Sequence, residues 1–331
     1  MDHRRYDVLC TGILVADLFV QPLAKMPAPG ELVEAETLLL STGGCAANTA
    51  LDLARLGARV AVAGRIGNDV FAEFIRQDLR EKGVDTCGVR VSQTAPTSRT
   101  VILNISGEDR RYIHTVGANA ELKAEDVDLE LVRQSRCLYV GGYGLCPGFR
   151  SESVADLFRF AQAHDVLTVL DVAGACAAEG LEPYRAVLPH TDVFLPNADE
   201  ARLITGETDL LRQAGHFAAC GAGLIAITRG GEGAFVRARQ AAWLAGAYHL
   251  PVVDQAGAGD AFDAGFILGM QQNWDLPRTL AFASAIGASA CTQLGTTAGV
   301  WTLPAALAFV AANPLAIEAL PATGWPTPTP V

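Results

Sequence analysis

Lysine is nearly missing from this chain of 331 residues: only Lys25, Lys82 and Lys123 occur, and none follows a glycine. A GxxxxGK[ST] phosphate loop is therefore excluded. Positive charge is scarce in general, with 25 Lys plus Arg against 36 Asp plus Glu and a formal charge of −11. Non-specific binding of nucleic acid or of an anionic membrane needs a cationic surface, so neither partner is expected. A local cradle of backbone amides holds phosphate whatever the net charge, so an anionic ligand stays open. No apolar run approaches the roughly 20 residues of a membrane span. The opening MDHRRYDVLCTGILVADLFV places arginines before an apolar stretch, but Asp7 and Asp17 interrupt it and no small-residue cleavage site follows. The eight cysteines form no CxxC pair, and none lies near a histidine at zinc-finger spacing. Reduced thiols and a cytoplasmic location are the expectation.

Half the residues are apolar and 18% are charged, as in a soluble globular protein. The length suits one large α/β domain or two ordinary ones. Short β-branched runs (YDVLCTGILV, ARVAVAGRIG, RCLYVGG, VLTVLDV, DVFLPN, LIAITRG) alternate with helix-period segments such as CAANTALDLARLG and NDVFAEFIRQDLREKG. Strands this apolar, separated by helices, predict an α/β fold: a doubly wound, mostly parallel sheet with helices on both faces. Residues 16–42 and 96–118 break the rhythm. They read as extended chain with turns at Pro29-Gly30 and Gly107-Glu108, and predict a small, discontinuous β lid over a main domain spanning 1–312. The tail 313–331 is proline-rich and predicts no regular structure. There is no internal repeat.

The stretch VVDQAGAGDAFDAGF, residues 252–266, has a backbone barer than a turn requires. Pro251 to Val253 reads as a strand and Ala261 onward as a helix, which places Gly257, Ala258, Gly259 and Asp260 on the turn between them. Free amides at a helix start bind phosphate, and missing side chains let its oxygens approach. As a GxGxxG dinucleotide fingerprint the stretch fails at Phe262. An aspartate after the glycines repels a simple anion, but makes sense if it takes a proton from an alcohol while the amides hold a transferring phosphoryl group. A tight turn with Asp260 as helix cap is the plainer alternative.

DQAGAGDAFDAGF resembles the C-terminal signature D-T-x-G-A-G-D-x-F of the ribokinase-like (PfkB-type) carbohydrate kinases. Four further motifs follow that family's order: GGCAAN with Gly43, Gly44 and Asn48, GRIGND, NADE at 197–200, and TRGGEG at 228–233. The resemblance implies an ATP-dependent kinase acting on a hydroxymethyl group. Asp260 is then the base and the amides of Gly257, Ala258, Gly259 and Asp260 the anion hole. Asp17, Gly43, Gly44 and Asn48 would hold sugar hydroxyls, unless Asp17 merely faces solvent. Asn197, Thr228, Gly230, Gly233 and Ser284 would line the nucleotide site, and Glu200 would reach Mg²⁺ through water. A helix cap at Asn197 and Glu200, and an ordinary hairpin loop at 228–233, are the alternatives. Asp254, Ala256, Ala290, Gln293 and Gly295 would surround a potassium ion. Asp69 reads as a helix N-cap, His114 as a surface lid residue, and Cys45 as packing near the sugar.

The departures matter. Gln255 and Ala256 replace the usual threonine-rich pair. Asp263 stands where asparagine is common, and its charge is expected to raise the base's pKa. GGCAAN lacks the lysine of members that take phosphorylated sugars, so the acceptor is expected to be a free sugar or sugar acid. A nucleoside acceptor on the same fold, or a sugar-binding protein without catalysis, are the competing functions. A homodimer through the lid is expected from its open strand edges.

Overall fold

The alternation of side chains in the first strand sets the architecture. In the computed structural model, β1 (Tyr6–Gly12) sends Val8 and Cys10 to one face of the sheet and Leu9 to the other, all fully buried. Its neighbours β4 (Val60–Ile66) and β8 (Ser135–Tyr143) follow the same rule, because a strand covered on both faces needs apolar residues throughout. The structure describes residues 4–105, 111–174 and 179–321, without the side chains of Gln21 and Pro22.

Ten described strands form the main sheet. In spatial order they are β14 (Ile317–Leu320), β13 (Ala241–Ala245), β12 (Ala234–Ala238), β11 (Leu224–Thr228), β10 (Val193–Leu195), β9 (Leu167–Val172), β8, β1, β4 and β5 (Asp85–Val91). The run from β11 to β5 is parallel, and β12 to β14 close one edge antiparallel. One face carries α1 (Cys45–Arg55), α2 (Val70–Glu81), α7 (Ala258–Gln271), α8 (Leu276–Ala290) and α9 (Leu303–Ala312). The other carries α3 (Leu129–Arg133), α4 (Ser151–Gln162), α5 (Ala198–Thr205) and α6 (Leu210–Ala219). The expected doubly wound sheet is therefore present. Strand order reverses between β1 and β8, and in such sheets the crevice at the carboxyl ends beside the reversal is where ligands bind.

A second sheet holds β3 (Leu38–Gly43), β2 (Val15–Leu23), β6 (Arg99–Ile105) and β7 (Arg111–Thr115), as expected for the lid. The turn at Pro29-Gly30 is present, with Glu31 N–H donating to the Ala28 carbonyl. The turn expected at Gly107-Glu108 lies outside the described residues.

Two local expectations are corrected. Residues 251–253 form no strand; the amides of Val253 and Asp254 donate to the Cys291 carbonyl just past α8, which ties this segment to a helix end instead of the sheet. Helix α7 accordingly begins at Ala258, three residues earlier than expected. In the tail, proline-free Ile317–Leu320 pairs along β13, so regular structure extends past residue 312. Residues 322–331 lie outside the description.

Candidate active site

The glycine-rich stretch forms the first turn of α7. Gly257 is its N-cap at φ 78°, a left-handed conformation that suits glycine. A Cβ there would lie 2.0 Å from the Thr296 carbonyl oxygen, whereas one on Gly259 would meet nothing within 4 Å. The first residue is bare so that the chain can fold, and the second leaves the amide cradle open to a ligand. The amides of Ala258, Gly259 and Asp260 occupy the first helical turn, where the helix itself supplies no acceptor; that of Ala258 donates to the Gln255 carbonyl at a long 3.3 Å.

Asp260 points from this turn to α1. Asn48 Nδ2 donates to its Oδ2 at 2.8 Å, and the Thr49 hydroxyl lies 3.3 Å from its carbonyl oxygen. The Cys45 thiol also donates to the carboxylate. Burial pushes the Asp260 carboxyl up, and these donors oppose the shift. Asp260 and Asp263 repel each other, a coupling that acts on both carboxyls: burial first, then Asp171 and Asp260, drive the Asp263 carboxyl well above the usual range, while the Tyr139 hydroxyl donates to it at 3.0 Å.

On the lid side, Asp17 on β2 is 6% exposed and faces the site rather than solvent. Burial raises its carboxyl to about 6, with the Asp260 charge adding to the shift and the Thr100 hydroxyl opposing it. A Cβ on Gly43 would fall 1.9 Å from Asp17 Oδ2, so β3 needs a glycine where it crosses this carboxylate. His114 bonds Thr100 through Nδ1 at 3.0 Å and is exposed.

A cleft of about 390 Å³ opens on the other side of the cradle. Asn197, Thr228, Gly230, Gly233, Gly259 and Ser284 all line it. Ser284 Oγ is buried there without a hydrogen-bond partner, a group that a ligand would satisfy. Asn197 and Glu200 form a reciprocal capping box on α5, each backbone N–H donating to the other side chain at 2.9 Å. The helix-cap alternative is thus present, and Glu200 is half-buried: burial lifts its carboxyl to about 7, with Asp199 and Asp260 adding to the rise. Residues 228–233 join β11 to β12 as a hairpin and line the cleft as well. Asp254 is buried and accepts from the amides of Ala256 (3.1 Å) and Gly295 (3.4 Å), which brings these three together. Gln293 is exposed, and Ala290 ends α8. Asp69 caps α2 by accepting from Ala72 N–H and also receives Thr97.

Two residues gain weight beyond the sequence reading. Cys45, Asp171 and Asp260 bring their ligand atoms within 4.8 Å of one another. Asp171, at the end of β9, was not singled out, although a carboxylate closing the apolar run LTVLDV gives the same signal that marked Asp17.

A 5-dehydro-2-deoxygluconokinase of Geobacillus thermodenitrificans is 24% identical over 297 residues, covering 86% of this chain and 87% of that protein. The ribokinase of Haemophilus influenzae is 25% identical over 289 residues, with 85% and 91% covered. Arabidopsis thaliana ribokinase, solved with ribose and ATP, superposes with a TM-score of 0.79 at 23% identity over 92% of this chain and 98% of that one. The adenosine kinase of Sinorhizobium meliloti gives 0.77 at 26% identity, over 92% and 99%. The model of the pfkB family carbohydrate kinases matches residues 6–303, and the chain belongs to that family, as a phosphotransferase with an alcohol acceptor.

Proposed function

We propose that this protein transfers the γ-phosphoryl group of ATP to a hydroxymethyl group of a free sugar or sugar acid. The observation that carries the reading is the position of Asp260, a carboxylate on the first turn of α7 beside unobstructed Gly259, between the 390 Å³ cleft and the carboxylate of Asp17. Asp260 takes the hydroxyl proton as the acceptor attacks, and Asn48 and Cys45 hold the carboxylate in place for it. The amides of Ala258, Gly259 and Asp260, with the α7 dipole, stabilise charge on the transferring group. Asp17, Gly43, Gly44 and Asn48 position the sugar, and the lid excludes water that would otherwise compete as acceptor.

ATP and Mg²⁺ are supported by an E. coli relative, described as a ribokinase II, that was solved with both. The residues fit: Ser284 Oγ is an unpartnered group in the nucleotide cleft, and Glu200 is a carboxylate crowded by like charges that a cation relieves. Bound Mg²⁺ supplies charge neutralisation on the donor phosphates. A potassium ion between Asp254, Ala256, Ala290, Gln293 and Gly295 is part of the proposal, supported by buried Asp254 bridging two of those segments. The outward face of the small sheet (Leu18, Leu40, Val101 and Ile113, beside Phe71 of α2) borders a hollow of about 350 Å³ that suits a second copy of the chain. Among the described residues no disulfide forms and no helix is long and apolar enough to cross a membrane, and we retain a cytoplasmic location.

ADP release measured over a panel of sugars, sugar acids and nucleosides tests the reading. Asp260→Asn is expected to keep acceptor binding while kcat drops by at least about 10³-fold. An unchanged rate removes Asp260 as base. The likeness to an adenosine kinase supports nucleoside kinase as the second reading, and turnover only with nucleosides would establish it.

A further inference from the structure

One polar row crosses the small sheet. Ser41 pairs with Asp17, Asp17 with Thr100, and Thr100 with His114, so four strands present these side chains on a single face. The next row on that face is Leu39, Phe19, Ile102 and Tyr112, apolar through its centre, with Phe19 and Ile102 buried. This face turns to the main domain: Leu39 comes within 3.8 Å of where a Cβ on Gly295 would lie. Leu18, Val101 and Ile113, one step along their strands, border the hollow on the outer face, and alternation turns Asp17, Thr100 and His114 to the inner one. Within the row, the Ser41 hydroxyl donates to the Thr42 carbonyl at 3.2 Å. Thr100 is 9% exposed, and its Oγ1 lies 3.0 Å from His114 Nδ1. The Thr100 hydroxyl donates to the Asp17 carboxylate, so the imidazole is the donor to Thr100 and carries its hydrogen on Nδ1. The other ring nitrogen, Nε2, is then an acceptor, on an exposed residue of the edge strand β7.

We propose that His114 is an acceptor-binding residue whose Nε2 receives a hydroxyl proton of the acceptor remote from the hydroxyl that is phosphorylated, and that Thr100 positions His114 and Asp17 against each other. Neighbouring strands lie about 4.8 Å apart, so the His114 backbone is about 10 Å from that of Asp17. A small acceptor that fills only the Asp17 end leaves Nε2 unused, and the row favours polyhydroxylated acceptors long enough to reach both. The proposal rests on the kinase reading above and deepens it, by naming what reads the far end of the acceptor.

The test takes the best acceptor of the panel and its monodeoxy forms, with ATP and Mg²⁺, in the wild type, His114→Asn and His114→Gln. The asparagine amide reaches Thr100 as Nδ1 does and extends no further, whereas the glutamine amide reaches the place of Nε2. His114→Asn is expected to raise acceptor KM about tenfold with kcat changed less than about twofold, and His114→Gln to restore most of the loss. One monodeoxy form, lacking the hydroxyl that Nε2 receives, should be used equally well by the wild type and His114→Asn. Thr100→Val should raise acceptor KM as well, and Thr100→Ser should bring it back. An unchanged KM in His114→Asn overturns the proposal. So does an equal penalty on every monodeoxy form, which would leave His114 a purely structural part. Calorimetric binding of the same acceptors beside a nonhydrolysable ATP analogue repeats the comparison without turnover. A protein that binds acceptor and never phosphorylates it therefore defeats the kinase reading, while the affinities of the variants still decide this one.

Discussion

Replacing Asp17 by asparagine is expected to make the ligand-free protein more stable and, at the same time, a poorer sugar binder. Burial holds the Asp17 carboxyl at about 6 against an ordinary value of 3.8. Between these values the folded chain carries a proton that the unfolded chain has released, so stability falls as pH rises through that window. Each pKa unit is worth about 1.4 kcal/mol, which gives a cost of about 3 kcal/mol once Asp17 is ionised. Asparagine keeps the shape and an oxygen for Thr100, and does not titrate. With an unfolding entropy of about 0.7 kcal/mol per kelvin for a chain this long, the gain is a Tm higher by about 4 °C at pH 7–8. It should be mostly gone by about pH 4 and vanish below about pH 3, where wild-type Asp17 is protonated in both states. Thermal denaturation of the two proteins from pH 4 to 8 measures the difference, and Glu200 and the other buried acids titrate in both and cancel. Acceptor KM should rise by about tenfold or more. A Tm offset independent of pH, or a loss of stability at pH 8, would refute the reasoning.

Two glycine substitutions should separate folding from binding. Gly257→Ala places a methyl against the Thr296 carbonyl at a left-handed φ and should cost about 3 kcal/mol in chemical denaturation. Gly259→Ala meets no protein atom, so Tm should hold while KM for ATP climbs about tenfold. Tyr139→Phe removes the donor to buried Asp263 and should destabilise by about 1–3 kcal/mol, read from the urea midpoint. Asp69→Ala deprives α2 of its cap and Thr97 of its partner, for a loss of about 1–2 kcal/mol in the same assay. Replacing K⁺ by Na⁺ or choline should slow turnover if the Asp254 loop holds the ion; equal rates in all three would remove it from the scheme.

What could be read from the chain depended on how local the cause was. Asp69 as a cap needs only its own helix, and the apolar strands announce burial on both faces by composition alone. The five motifs are local too, and the fold gathers Asn197, Thr228, Gly230, Gly233 and Gly259, which they named, around one cleft. Residues 251–253 carried a local strand signal that a contact with the end of α8, nearly forty residues away, overrides. The proline content of the tail hid five ordinary residues, Ala316 to Leu320, able to extend an open sheet edge. Asp171 was missed because its meaning comes from Cys45 and Asp260, roughly 126 and 89 positions off in the chain, brought together by the crossing of β8, β9, α1 and α7.

Strand β3 runs into helix α1 with a single residue, Gly44, between them. The small sheet and the helix that carries Asn48 are thus one length of polypeptide with almost no slack. A shift of the small sheet is felt at the Asn48 amide that holds Asp260, so under the proposed function an acceptor that draws the sheet down would also seat the carboxylate proposed to take its proton.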